Sequence, residues 1–184
     1  MHGLRILLTG ALLGSFAAFG LGYAQRSQGD GGSRTLTGAD LAEIQQLYSR
    51  YSQGTDFGNA DMWINVFAED GIFRIADSGE WIGREKITEY RRRTFAPRAA
   101  NYTYRHWNSS WVITPTGDGR ATGRVYWMGF DPSAEPIVIS DTGYYDDIYV
   151  KTANGWRIKQ RHAHPDPSSP DGGKSRPSAP SRAR

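Results

Sequence analysis

Asp56 and His106 are the residues of this chain best suited to moving protons. Asp56 lies just over one turn beyond Tyr51, the last apolar position of a helical stripe formed by Leu41, Ile44, Leu47, Tyr48 and Tyr51. A carboxylate partly withdrawn from water at a helix end is suited to general-base work. The plainer alternative is an aspartate that binds backbone amides of the Phe57-Gly58-Asn59 turn. His106 falls where the pattern has period two. Tyr102, Tyr104, His106, Asn108 and Ser110 share one face there, and Arg105, Trp107, Ser109 and Trp111 share the other. The first face is too polar for a core and fits the wall of a wet pocket, where an imidazole passes protons near neutral pH. A register slip of one residue would turn His106 outward.

Other polar residues carry weaker chemistry. Tyr145, Asp147 and Tyr149 share a strand face, and Asp147 and Arg161 come from strands joined by a hairpin, so the expectation for that pair is a structural ion pair. His162 and His164 fall on one face with Trp156, Ile158 and Gln160. A His-x-His pair with His106 as third ligand has the chemistry of a metal site. It stands at a frayed strand end with no acidic anchor beyond Asp166, so no metal is assigned. The chain has no cysteine, which removes thiol nucleophiles and zinc–thiolate sites. Most of its 6 tryptophans and 10 tyrosines belong to core and sheet surface. An aromatic-rich cavity with a few polar groups nevertheless fits a flat, hydrophobic, ring-bearing ligand. Tyr48, Trp63, Tyr104, Asn108, Ser110 and Tyr145 are expected to line it.

The elements that position these residues follow from the pattern. Thr37 and Asp40 read as a capping box for the first helix, which Gly54 closes. Asn59 caps a short second helix with Trp63, Val66 and Phe67 inward, and Ala68-Glu69-Asp70-Gly71 reads as a turn. A small hairpin runs through 72–75 and 80–82 around Asp77-Ser78-Gly79, and a third helix through 84–94 carries Ile87 and Tyr90 inward with three consecutive arginines. Strands are expected at 102–113, 120–130, 138–151 and 155–163, with turns at 115–119, 131–133 and 153–155. Helices first and long antiparallel strands afterwards make an α+β domain whose curved sheet wraps the helices into a cone.

The ends differ from this middle. Residues 1–24 hold an apolar run from Ile6 to Leu21 and finish Gly22-Tyr23-Ala24, the pattern of a cleaved secretory signal peptide, with an uncleaved membrane anchor as the rival. Residues 25–34 read as a flexible linker, and 165–184, with five prolines, five serines and four basic residues, as a disordered tail. The folded domain is 35–164. The whole chain carries a net charge of +3, but 35–166 has 15 Lys and Arg against 17 Asp and Glu, a net of −2. The folded part therefore does not advertise nucleic-acid binding.

The order Tyr51-Ser-Gln-Gly-Thr-Asp56, Asn59-Ala-Asp61-Met-Trp63, Val66-Phe67-Ala-Glu-Asp70-Gly71 and Trp81-Ile-Gly83 resembles the SnoaL-like branch of the nuclear transport factor 2-like superfamily. Later landmarks agree: Arg105-His106-Trp107-Asn108, Gly143-Tyr-Tyr145-Asp-Asp147, and Gly155-Trp156-Arg157-Ile158 followed by Arg161. The resemblance implies a conical fold of three helices packed in a curved antiparallel sheet. It also implies cofactor-free acid–base chemistry on a ring-bearing or polyketide-like compound, and a homodimer formed through the sheet. In dehydratases and cyclases of the family the helix-end aspartate matches Asp56, and in scytalone dehydratase-like members a strand histidine matching His106 works with it. Tyr51 matches the oxyanion-binding tyrosine of ketosteroid isomerases. Two departures count against the named activities: 123–127 holds no second pocket histidine, and Ile75 stands where the isomerases carry their base. The fold also hosts plain binding and dimerisation domains, which is the alternative function.

Overall fold

The computed structural model describes residues 35–76, 78–95, 103–117 and 119–167. The expected signal peptide, the linker up to Arg34, Tyr102, and the tail from Ser168 lie outside them. Helix α1, Gly38–Asp56, begins at a capping box in which the Asp40 amide donates to Thr37 Oγ1 at 3.1 Å and the Thr37 amide donates to the Asp40 carboxylate at 2.9 Å. Such a cap contributes about 1 kcal/mol. Gly54 does not end the helix. An added Cβ there would sit 2.8 Å from the Trp63 amide nitrogen, so the glycine is what lets helix α2, Ala60–Ile64, press against α1. Asn59 caps α2 through the Met62 amide at 2.9 Å.

Strand β1, Phe67–Ile75, absorbs the expected turn at 68–71 as an irregularity in its pairing. Strand β2, Gly79–Ile82, and helix α3, Gly83–Thr94, follow. Four long strands complete the sheet: β3 Arg105–Gly117, β4 Arg120–Asp131, β5 Val138–Thr152 and β6 Gly155–Pro165. The order across the sheet is β2-β1-β6-β5-β4-β3. All neighbours are antiparallel except β1 and β6, so the sheet is mixed. β1 of the early hairpin pairs with β6, the last strand of the four-strand meander, and lies parallel to it.

Two bulges correct the expected strand faces, because an unpaired residue shifts the period-two phase of everything beyond it. In β3 the register jumps between Ser109 and Val112, and Ser110 stands at φ 57°. Ser110 is exposed and lines neither described cavity beside His106, contrary to the expected wall position. In β6 the pairing passes from Gln160 to Ile158 against consecutive residues of β5. Trp156 and Ile158 are therefore buried, Arg161 and Ala163 are buried beyond the bulge, and His162 and His164 are the partly exposed residues between and after them. The histidines do not share a face with Trp156 and Ile158.

The core is aromatic. Trp63 is fully buried, 5.0 Å from the rings of Tyr51 and Phe67 and 5.2 Å from Phe73, and it lines no described cavity. It is a core residue, not a pocket residue, because α2 docks edge-on under Gly54. At the centre, Arg161 donates to Asp147 twice, at 2.9 and 2.6 Å, with both side chains sealed from solvent. The Tyr48 hydroxyl donates to the same carboxylate at 2.5 Å, and the Tyr149 hydroxyl does so at 3.2 Å. The guanidinium packs over Tyr145, Tyr51 and Tyr48 at 4.1, 4.3 and 4.7 Å. Rings on the faces and a carboxylate in the plane answer the desolvation of a buried cation. Burial in turn holds the Tyr48, Tyr145 and Tyr149 phenols well above their ordinary range, so they stay neutral.

Candidate active site

The site is built where α1 lies along the edge strand β3. Tyr48, Ser52 and Asp56 recur every four residues, so they form one row along the helix. Four helical residues rise about 6 Å, and two strand residues rise about 6.7 Å. A row of i, i+4 side chains therefore matches a row of i, i+2 side chains on an adjacent strand. Ser52 donates to Asn108 at 2.6 Å, and one step further Asp56 meets His106.

Both oxygens of Asp56 are committed to His106. One accepts the His106 backbone amide at 3.0 Å, and the other lies 2.5 Å from Nδ1. Asp56 is 5 % exposed and does not itself line a cavity. A carboxylate can only accept, so Nδ1 carries the proton and Nε2 is left as the acceptor. The expectation was an Asp56 that abstracts or relays a proton, with His106 as its acid–base partner. The two residues are paired, with His106 at the cavity wall and Asp56 behind it.

His106 lines a cavity of about 380 Å³ together with Tyr51, Thr55, Phe73, Ile75, Tyr90, Arg91, Trp127, Asp141, Tyr145, Ala163 and Pro165. The sheet, α1 and α3 each contribute a wall. His106 on β3, Gly129 on β4 and Asp141 on β5 stand side by side in register. Tyr104 packs its ring 5.0 Å from His106 and donates its hydroxyl to Asp141, so it supports the rim rather than the wall. Trp127 stacks on Tyr145 at 5.9 Å and 19°. Its ring lies across Gly143, where an added Cβ would fall 2.8 Å from the indole, so the glycine makes the flat wall possible.

Of the residues expected at the site, Tyr51, His106 and Tyr145 reach this cavity. Tyr48 and Asn108 instead line a groove of about 320 Å³ between α1 and β3, on the other side of His106. They belong there because Tyr48 precedes Asp56 along the helix row and Asn108 follows His106 along the strand row, so both lie to the same side of the point where His106 meets the cone. Arg91, Trp127 and Asp141 were not anticipated. Arg91 stands four residues after Ile87 and one after Tyr90, on the inward stripe of α3, and that spacing could have distinguished it from Arg92 and Arg93.

Nothing here gathers metal ligands. Among the described residues no group of three or more His, Asp or Glu is placed to hold an ion. His162 and His164 lie against each other at 3.8 Å beside Tyr144 and Asp146, away from His106. No described helix is long and apolar enough to cross a membrane.

Solved structures share this architecture. A cystatin-like protein from Nostoc punctiforme is 23 % identical over 73 % of this chain and 97 % of its own, with a TM-score of 0.63. ActVI-ORFA from Streptomyces coelicolor is 25 % identical over 71 % of this chain and 98 % of its own, at 0.61. A candidate scytalone dehydratase from Novosphingobium aromaticivorans is 20 % identical over 71 % and 87 %, at 0.60. A search of curated protein sequences finds no match. The SnoaL-like domain model matches residues 37–162, from the α1 cap into β6, and the chain belongs to that family.

Proposed function

We propose that this chain is a cofactor-independent acid–base enzyme, a dehydratase, isomerase or cyclase, acting on a small ring-bearing or polyketide-like compound. The observation that carries this reading is the Asp56–His106 pair with His106 at the cavity wall. Nε2 accepts a proton from carbon or oxygen of the bound compound, and Asp56 holds the ring in place and balances the imidazolium that forms. Tyr51, on the same wall, donates to an enolate oxygen as charge develops there. Phe73, Tyr90, Trp127 and Tyr145 exclude water and face the rings of the ligand. The fold is also that of a structure named as a candidate scytalone dehydratase, which is consistent with the dehydratase reading.

The test uses 2-tetralone in deuterated buffer, with exchange of its α-protons followed by NMR. The wild-type chain is expected to accelerate exchange, and His106→Ala to lose about 10²-fold or more of that acceleration. Binding of the ketone without exchange above the His106→Ala level would favour the alternative, a small-ligand-binding domain of the same fold. Export through residues 1–24 and pairing of two copies through the outer sheet face belong to this reading too. Trp107, Val112 and Tyr126 stand 61, 66 and 55 % exposed on β3 and β4. N-terminal sequencing of the mature protein and sedimentation in solution test these two points.

A further inference from the structure

Strand β6 carries two imidazoles on the face of the sheet opposite the cavity. His162 and His164 alternate along it with Ala163 and Pro165, which line the cavity. The two rings lie 3.8 Å apart, and that of His164 stacks on Tyr144 at 4.5 Å and 13°. Neither Nε2 has a hydrogen-bond partner among the described residues.

A row of residues in register sets the charge around the pair. It runs from Glu80 on β2 through Arg74 on β1, His162 on β6 and Asp146 on β5 to Arg124 on β4. Arg74 pairs with Glu80, and Arg124 donates twice to Asp146, at 2.7 and 3.0 Å. The Arg124 bonds hold the Asp146 carboxyl below its ordinary range, so it stays ionised. On its other side, His164 Nε2 stands 3.3 Å from Asp146 Oδ2. Past His164, Asp166 is bound by the Thr142 hydroxyl. A first proton therefore has a place on His164, beside Asp146. A second, on His162, would face a charged His164 ring and the Arg74 guanidinium. Burial first, then His164 and Arg74, already depress the His162 imidazole below its ordinary value, against the pull of Asp146 and Glu80. A histidine depressed in the folded state contributes its stability fully above the unfolded value of about 6.5, and loses it as pH falls through that value toward the folded one.

The same strand end forms part of the cavity wall. The Ala76 amide donates to the Ala163 carbonyl at 2.9 Å, and the Asp166 amide to the Thr142 carbonyl at 2.9 Å. An added Cβ at Gly143 would fall 2.3 Å from the His164 carbonyl oxygen and 2.8 Å from the Trp127 ring, so the strand end and the flat wall pack on one spot.

We propose that His162 and His164 form an acid-operated latch. With at most one proton between them they hold the end of β6 against the cavity, and the second proton drives the rings apart and loosens that wall. The latch stands on the imidazole pair, and its effect on binding rests on the reading of the cavity as a ligand site.

The test follows the imidazole C2 protons and the backbone amides of the whole chain by NMR between pH 8 and pH 4. The wild-type pair is expected to titrate in two steps more than about one pH unit apart. In His164→Gln the His162 ring should titrate in one step at higher pH than in the wild type. Corrected for intrinsic exchange, the Ala76 and Asp166 amides should lose about fivefold or more of their protection between pH 7 and pH 5, and less than about twofold in His162→Gln or His164→Gln. Either variant suffices if the other fails to fold. Binding of 2-tetralone, measured by calorimetry, should weaken over the same range in the wild type alone. Independent titration of the two rings at the ordinary value, protection that holds at pH 5, an equal loss in either variant, or tetralone affinity that stays level while protection falls overturns the proposal. The expected titration and loss of protection in a chain that binds no tetralone at any pH would support the latch and overturn the ligand site, so the two fail separately.

Discussion

His106 is worth isolating first because its geometry makes a spectroscopic demand. With Asp56 accepting from Nδ1, the neutral ring is fixed as the Nδ1–H tautomer. Nitrogen-detected NMR should show that tautomer in the wild type, and Asp56→Asn should mix or reverse it, since an amide can donate to Nδ1 as well as accept. In the exchange assay Asp56→Asn should lose about 10²-fold in rate with little change in probe binding, because Asp56 acts through His106 and touches no ligand. An unchanged tautomer with a lost rate would sink the positioning role. The second demand at this scale falls on Asp147. Removing one member of a sealed ion pair leaves the other charge buried, so Asp147→Ala should destabilise the fold by about 3–5 kcal/mol in urea unfolding. A loss below about 1 kcal/mol would mean that the tyrosine rings alone carry Arg161.

At the scale of elements, α1 is the part that everything else is measured from. Its first turn is docked by Asp40, whose carboxylate also accepts from Lys151 Nζ at 2.7 Å and Trp156 Nε1 at 2.8 Å, tying the helix to β5 and β6. The Lys151 ammonium first, then the Thr37 hydroxyl and the Trp156 indole, hold that carboxyl far below its ordinary range. A carboxyl depressed in the folded state contributes stability fully above its unfolded value of about 3.9 and loses it as pH falls toward the folded one. Asp40→Asn should therefore lower the thermal midpoint at pH 7, and its gap to the wild type should narrow below about pH 4. A gap independent of pH would show that charge is not what docks the helix. At the other end, Gly54→Ala should cost about 1–3 kcal/mol by overpacking against α2. The order of helices and strands was legible in the sequence because period and caps are local. What was not legible depended on registry between distant segments. The bulges at Ser110 and Lys159 left no mark that alternation alone could read, and they decided which way Ser110, Arg161, His162 and His164 turn. The helix–strand match that joins Ser52 to Asn108 and Asp56 to His106 is a property of two segments 50 or more residues apart.

At the scale of the molecule, the described unit closes both of its own ends. Thr37 and Asp40 cap the start of α1 reciprocally. Past β6, the Asp166 amide donates to the Thr142 carbonyl at 2.9 Å, and the Thr142 hydroxyl donates to the Asp166 carboxylate at 2.6 Å. All six strands and the aromatic core lie between these two closures. A unit with its terminal backbone groups satisfied internally owes its stability to its own burial. A chain trimmed to residues 35–167 should then unfold cooperatively, with a midpoint within about 2 °C of the full chain, since 1 kcal/mol corresponds to about 4–8 °C in domains of 60–100 residues and about 2–4 °C in those of 150–250. It should also keep the tetralone exchange rate of the full chain, because His106, Tyr51 and the other lining residues lie within 51–165. Differential scanning calorimetry and the exchange assay on the trimmed chain check both statements. A midpoint lowered by several degrees would show that residues beyond these closures hold the cone together. Loss of tetralone exchange alone, with the midpoint unchanged, would show that they complete the site.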